Sequence, residues 1–210
     1  MWTLSEVRSK LSDRLGEDSI VFWEDADRDS YINEAQRLVS SITRGITSTA
    51  FGTVNTSTPS ITLPNKMING TATMGYVDGG RSLSIISVEQ ANLVSPNWRT
   101  QRGSPLWIIL DTMTATARVT PIPTAGTTVY VTVSILPADM SADSDELFDG
   151  VDAMEQYQGA IVNFAASLAL LKERYDGDAE RFYKFAVQEM QQVGVNPQEI
   201  PPFREVATDA

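Results

Sequence analysis

The sequence predicts an α+β protein, in which two N-terminal and two C-terminal helices form a four-helix bundle and an antiparallel β domain is inserted between the pairs. Two observations carry this prediction. Near both ends of the chain, apolar residues recur at steps of three and four, the spacing of one helix face. Between residues 46 and 137 charged residues become rare and Thr, Ser, Val, Ile, Gly and Pro dominate, as is typical of short strands.

The first helix is predicted over residues 4–15. Thr3 and Glu6 have the spacing of a capping box, in which each side chain accepts a hydrogen bond from the other residue's backbone N–H. Gly16 suits the left-handed position that follows a helix. The apolar stripe consists of Leu4, Val7, Leu11 and Leu15.

The second helix is predicted over residues 25–44, because an acidic start is followed by a stripe of apolar residues. Asp25, Asp27 and Asp29 also resemble the start of a calcium loop. Such a loop has Gly at its sixth position and Glu at its twelfth, where this chain has Ser30 and Gln36. An acidic helix N-terminus is therefore the favoured interpretation, and no metal site is predicted.

The β domain is predicted over residues 46–137, as an antiparallel sheet or sandwich. Its strands are expected at residues 47–54, 60–63, 82–88, 106–111, 116–122 and 127–136. The last of these alternates strictly, with Val129, Val131 and Val133 on one face.

A helical hairpin is predicted over residues 150–194, with its turn at Asp176-Gly177. We expect it to complete the bundle, which is then built from residues 1–45 and 138–194. Its aromatic residues are expected in the core: Tyr157, Phe164, Tyr175, Phe182, Tyr183 and Phe185. Residues 195–210 contain three prolines and no periodicity, so an extended tail is predicted there.

Composition limits the possible functions. The chain has no cysteine and no histidine, which excludes disulfides, thiolate chemistry and a histidine-based triad. Phosphate-binding glycine motifs are absent from the sequence. We therefore expect neither an enzyme nor a cofactor. No run of about 20 apolar residues spans a membrane, and no signal peptide is recognised, so a soluble protein is expected.

The net charge of −11 is unevenly distributed: −3 over residues 1–44, +2 over 45–138 and −10 over 139–210. Such a chain is a poor candidate for gripping nucleic acid, because binding to phosphates needs Lys and Arg. Residues 139–155 carry seven acids and no base. A solvated linker leading to an acidic helix start is the favoured interpretation, and a divalent-cation site is the alternative.

One loop offers aromatic and basic side chains together. Trp98, Arg99 and Arg102 lie between two prolines, and such residues are common interface anchors. The sequence leaves two possibilities equally open. The loop contacts a partner, or Trp98 folds back onto the sheet.

Four stretches of the sequence, taken in order, are similar to those of a known family. TLSEVRSKLSDRLGE, FWEDADRDSYINEAQRLV, the Thr/Ser-rich β region and EQYQGAIVNFAASLALLKERYDGDAERFYKFAVQEM together resemble the head-to-tail adaptor (connector) proteins of tailed bacteriophages. The resemblance implies a structural virion protein, assembled in the host cytoplasm and located in the neck. It implies a ring, usually of twelve copies, that docks below the portal protein, extends the DNA channel and carries tail or nozzle proteins. DNA is then expected to pass through without specific binding.

The resemblance also implies where contacts lie. In such proteins the C-terminal segment often reaches the portal, which here points to Pro197, Ile200, Pro201, Pro202, Phe203 and Arg204. Neighbouring copies could pair charges through Arg14, Arg28, Arg37, Asp145, Glu146 and Asp149. An alternative function is a carbohydrate- or receptor-binding virion protein that uses its β domain. Its candidate stacking residues are Trp98, Trp107 and Tyr76.

Overall fold

The computed structural model describes residues 1–16, 23–111 and 114–203. Their contacts divide the chain into two compact units. We call them the helical unit, which comprises the described residues of Met1–Ile46 and Pro137–Ala210, and the β unit, Thr47–Leu136. The predicted α+β class is confirmed, since five α-helices and seven strands occur in the described part of the chain.

The α-helices are α1 (Leu4–Leu15), α2 (Asp25–Thr43), α3 (Val88–Val94), α4 (Gln158–Lys172) and α5 (Asp176–Gln192). The strands are β1 (Thr47–Val54), β2 (Ser60–Thr62), β3 (Met67–Val77), β4 (Ser84–Ile86), β5 (Trp107–Asp111), β6 (Thr116–Thr120) and β7 (Thr127–Ile135). Short 3-10 helices cover Leu147–Gly150, Asp152–Tyr157 and Pro197–Glu199.

Helix α1 begins and ends as its sequence predicts. The hydroxyl of Thr3 accepts from the N–H of Glu6, and the Thr3 N–H donates to Glu6 Oε2 at 2.9 Å. Gly16 then adopts a φ of 74°, which a residue without a side chain reaches at little steric cost. The helix buries Leu4, Val7 and Leu11.

Helix α4 is the centre of the helical unit. Residues 160–169 are all buried, and α1, α2 and α5 each pack against this helix. Its sequence, QGAIVNFAASLALLK, carries a single charged residue, at its C-terminal end. A helix that is apolar on every side is stable in water only when it is enclosed, so α4 depends on its three neighbours.

The hairpin differs from its prediction in two places. Two 3-10 turns precede α4, which begins at Gln158. Between the two turns, Gly150 with a φ of 73° and Val151 with a ψ of 105° have non-helical backbone angles, so the helix does not run continuously from residue 150. The turn predicted at Asp176-Gly177 is wrong. The chain turns earlier, at residues 173–175, and Asp176 opens α5, whose N-terminus favours acidic residues.

The aromatic residues of the hairpin do not all enter the core. Phe164 and Tyr183 are buried and meet edge to face, with ring centroids 5.3 Å apart. Tyr175 and Phe185 were expected in the core, but they are 58% and 37% exposed. Tyr175 lies in the turn, and a turn residue has fewer neighbours to cover it.

The β unit consists of two sheets, with strand orders β1-β7-β3 and β2-β6-β5-β4. Val129, Val131 and Val133 of β7 face a core that also receives Ile61, Ile108 and Val119 from the other sheet. The two sheets therefore pack face to face. The antiparallel prediction holds for every pair except β4 with β5, which run parallel.

Two elements of the β unit were not predicted. Strand β3 carries register shifts between Met67 and Met74, which break the alternation that marks a strand. The strand expected over residues 82–88 ends at Ile86, and α3 follows. Ser87 and Gln90 form a capping box there, so the sequence did carry a signal for this helix.

Candidate functional site

A buried polar network fastens residues 137–149, which we call the return segment, to helix α2. Asn33 Nδ2 donates to the carbonyl of Met140 at 3.0 Å, and the Met140 N–H donates to Asn33 Oδ1 at 2.8 Å. Gln36, which is fully buried, donates to the carbonyl of Ala138 and accepts from the N–H of Phe148. These two side chains satisfy backbone groups that no helix or sheet pairs.

The same segment is fastened to helix α1. The backbone N–H of Leu4 donates to the carbonyl of Asp145 at 2.8 Å, and the N–H of Leu147 donates to the carbonyl of Trp2 at 3.1 Å. Arg8 adds an ionic link, because it reaches Asp29 of α2 and Asp143 of the return segment. Hydrogen bonding to Asp29 raises the pKa of the Arg8 guanidinium.

The three alternating aspartates at the start of α2 each face a base. Asp29 pairs with Arg8, Asp25 pairs with Arg28 at 2.7 Å, and Asp27 lies 3.6 Å from Lys172. Their carboxylates point to three different partners and do not converge on one point. No group of acidic side chains suited to holding a metal ion is found among residues 1–16, 23–111 and 114–203.

Two acids of the return segment accept hydrogen bonds from its backbone. Asp145 Oδ2 accepts from the N–H groups of Ser141 and Ala142 at 2.7 and 2.8 Å, and Asp149 accepts from the N–H of Ala138. The bonds from Ala142 and Ser141 lower the pKa of the Asp145 carboxyl. These carboxylates shape the segment locally.

The six residues suggested for pairing between copies occupy different situations. Arg28 and Arg37 already have carboxylate partners in the same chain, at Asp25 and Asp139. Asp145 and Asp149 hold backbone N–H groups. Arg14 and Glu146 are exposed, and neither forms an ion pair within the described residues.

The C-terminal segment differs from the extended tail that was predicted. Ile200 is 8% exposed, the hydroxyl of Tyr183 donates to the carbonyl of Pro201, and the rings of Tyr183 and Phe203 lie 5.4 Å apart. Residues 200–203 thus lie against α5, where Tyr183 contacts Pro201 and Phe203, and Ile200 is buried. A cleft of about 420 Å³ beside Tyr183 and Phe203 is also lined by Glu180, Lys184, Val187, Gln188 and Gln191. Arg204 lies outside the described residues.

In the loop with Trp98, the structure corresponds to the second of the two possibilities. Trp98 is 4% exposed and packs with Ala91 and Ile109, while its indole N–H donates to Asn92 at 2.8 Å. Arg99 covers the indole ring, with the guanidinium carbon 4.3 Å from the ring centroid. The indole is therefore covered in this chain, and Arg99 and Arg102 remain exposed.

The other candidate stacking residues lie on the two sheets. Trp107 is half-buried at the start of β5. Tyr76 stacks against Tyr130 of the neighbouring strand, with centroids 4.8 Å apart and planes 10° apart. On the other side of Tyr130 lies Phe51, with centroids 6.0 Å apart. Tyr76 is thus part of a row of three aromatic side chains across one sheet.

Asn33 and Gln36 were missed as structural residues by sequence reasoning. A signal was present. Both lie among the apolar residues of the α2 stripe, next to Ile32 and Ala35, where a polar side chain is buried and needs a partner. That pattern does not show which groups Asn33 and Gln36 bond to, nor where the return segment lies.

The fold and these contacts define an α+β protein in which polar side chains join separate segments of the same chain. A sequence model of the family described as SU10 adaptor protein matches residues 2–202. The chain therefore belongs to the SU10 adaptor protein family, a family of phage structural proteins. A search of curated proteins gives no significant match. Within the described part of the chain, no helix is both long and apolar enough to cross a membrane.

Proposed function

We propose that this protein forms a ring in the neck of a tailed bacteriophage, docks below the portal protein and carries tail or nozzle proteins. The observation that carries this proposal is the family match over residues 2–202. The resemblance implies twelve copies, assembled in the host cytoplasm. Copies of the chain then repeat around a channel.

The helical unit is proposed as the rigid part of each copy, a four-helix bundle built from residues 1–45 and 138–194. Support comes from the enclosure of α4 by α1, α2 and α5, and from the network that fastens the return segment to α2. Because Asn33 and Gln36 are buried and hydrogen-bonded, this unit is expected to move as one body. The inserted domain, residues 46–137, is then free to differ between family members.

The charge of the chain supports a channel that does not hold DNA. Residues 139–210 carry a net charge of −10, and this charge is repeated in every copy of a ring. An acidic surface repels the phosphate backbone of DNA. It also lacks the Lys and Arg contacts to phosphates that would release counterions from the DNA and favour binding. DNA is therefore expected to pass without specific binding.

Contacts between copies are proposed at Arg14 and Glu146. Both side chains are exposed and free of ion pairs among the described residues, whereas Arg28 and Arg37 are already paired. An exposed pair contributes only about 0–1 kcal/mol, so these charges would set the register of the copies more than their affinity.

Portal contact is proposed for the C-terminal segment, with Phe203 and Pro202 at its described end. Pro202 is exposed and Phe203 is half-buried against Tyr183. A segment that is already ordered on α5 loses less conformational entropy when it binds a partner. The segment from Pro197 to Phe203, with Arg204 beyond it, would then present a preformed surface.

Binding to the portal protein of the same phage tests this proposal. Phe203→Ala should weaken portal binding about tenfold or more, as expected for an aromatic anchor. Phe185→Ala removes an aromatic side chain that is 37% exposed on α5 and is the matched control. The unfolding free energy of each variant is measured in parallel. Equal binding by both variants would show that Phe203 does not contact the portal. If the unaltered chain did not bind the portal at all, the adaptor function would be contradicted.

A further inference from the structure

The outer edge of strand β1 is open. β1 pairs with β7 along its whole length, from Thr47 opposite Ser134 to Val54 opposite Thr127, and it is the last strand of its sheet. Among the residues that the structure describes, no backbone hydrogen bond is formed from its other side. Every second N–H and C=O along this edge is therefore available to another strand.

This edge lacks the features that usually prevent pairing between proteins. β1 reads TSTAFGTV, with no charged residue and no proline, and its register with β7 is unbroken. Proteins protect open edges with charges, prolines, bulges or short strands. Phe51, near the middle of β1, is 72% exposed.

The other strand edges of the β unit are short or partly covered. β2 and β4 have three residues each. β3 has register shifts, and its far side is bonded through Gly75, whose carbonyl accepts from Leu83, and Val77, whose N–H donates to Arg81. Within the described residues, β1 is the one long edge without such protection.

The exposed face beside this edge is uncharged and aromatic. Phe51, Tyr130 and Tyr76 stand opposite one another in register on β1, β7 and β3. Next to them the hydroxyls of Thr49 and Thr132 hydrogen-bond at 2.9 Å. A strand added beyond β1 would extend this row and cover Phe51.

We propose that the open edge of β1 pairs with an extended segment of a second copy of this chain. This inference rests on the proposed function, which places identical copies side by side. The distribution of charge also favours a second copy of the chain as the partner of β1. Residues 45–138 carry a net +2 in a chain of −11, so identical copies meet with least repulsion through the β unit. A strongly charged partner would find no complementary charge on β1.

Hydrogen–deuterium exchange of the free chain and of its assembly on the portal tests the proposal. The amides of residues 47–54 that are not bonded to β7 should exchange at least about tenfold more slowly in the assembly, because pairing protects these outward N–H groups. Residues 129–133 of β7, which is paired on both sides, provide the internal reference. A ring in which β1 exchanges as it does in the free chain would overturn this inference and leave the adaptor function standing.

A substitution on the exposed face of β1 provides a second test of the proposed pairing. Phe51→Lys places a charge on the edge strand and should raise the concentration needed for half-assembly about tenfold or more. Leu93→Lys makes the same charge change at a side chain that is 85% exposed on α3, and it should assemble normally. Assembly of Phe51→Lys at the wild-type concentration would contradict the pairing. If the unaltered chain forms no ring with its portal, both this inference and the proposed function fail.

Discussion

Asn33 and Met140 exchange two hydrogen bonds, of 3.0 and 2.8 Å, across 107 residues of sequence. The amide of Asn33 pairs with the N–H and C=O of Met140 as a neighbouring strand would. Residues 138–140 of the return segment are thereby bonded to α2 without forming a strand or a helix. This pair connects the part of the helical unit before the β unit to the part after it.

Asn33→Ala should lower the free energy of unfolding by about 2–4 kcal/mol, because it leaves the buried N–H and C=O of Met140 without partners. Asn65→Ala, at an exposed position of the β unit, should change it by less than about 0.5 kcal/mol. Both values come from urea denaturation followed by circular dichroism. Equal stability of the two variants would show that the network does not hold the return segment.

Gly52→Ala should destabilise the β unit by about 1–3 kcal/mol through overpacking. A methyl group at Gly52 would lie 2.7 Å from Ile61 Cγ2. That atom is bonded directly to Cβ, so it moves only if the buried Ile61 changes its χ1 rotamer. Gly177→Ala is the control, since nothing lies within 4 Å of the added methyl group. Thermal unfolding that ranks Gly177→Ala as the less stable variant would contradict the packing of the two sheets.

Asp145 should make stability depend on pH in the acid range. Its pKa is lowered from 3.8 by hydrogen bonds from Ala142 and Ser141, so its contribution is present above pH 3.8 and is lost as the pH falls through the folded-state pKa. Asp145→Asn should therefore be less stable than the unaltered chain at pH 7, and the difference should shrink on acidification. The difference is measured from the free energies of unfolding of the two proteins, from pH 7 down to below pH 3.8. A difference that is constant with pH would contradict the role of the carboxylate, and Asp13→Asn controls for the loss of one exposed charge.

Tyr183→Phe should loosen the C-terminal segment without unfolding α5. The variant loses the hydrogen bond to the Pro201 carbonyl and keeps the ring contact with Phe203. One such bond contributes about 1 kcal/mol, so the Ile200 amide, which donates to the Pro197 carbonyl, should exchange about fivefold faster. Tyr175→Phe, at a ring that is 58% exposed, is the matched control. Unchanged exchange would show that the segment does not depend on Tyr183.

The elements that were predictable have signals within a few residues of themselves. Thr3, Glu6 and Gly16 define both ends of α1, and the uninterrupted run TSTAFGTV gives β1 its bounds. β3 was missed because its register shifts remove the period of two that identifies a strand. The parallel pairing of β4 with β5 depends on a tertiary arrangement that no local pattern contains.

The candidate contacts depend even more on tertiary structure. Trp98 is an aromatic residue in a polar loop, and only the fold places it under Arg99 and against Ile109. The prolines of the C-terminal segment indicate a tail, whereas the burial of Ile200 and the contact of Phe203 with Tyr183 are properties of the packed chain. Sequence patterns report which side chains need cover and not which surface provides it.

Electron microscopy of the protein bound to the portal of its own phage tests the central claim most directly. The adaptor proposal predicts a ring of copies coaxial with the portal, continuous with its channel and expected to contain twelve subunits. A portal that remains bare at saturating concentrations, or copies bound away from the channel axis, would contradict it.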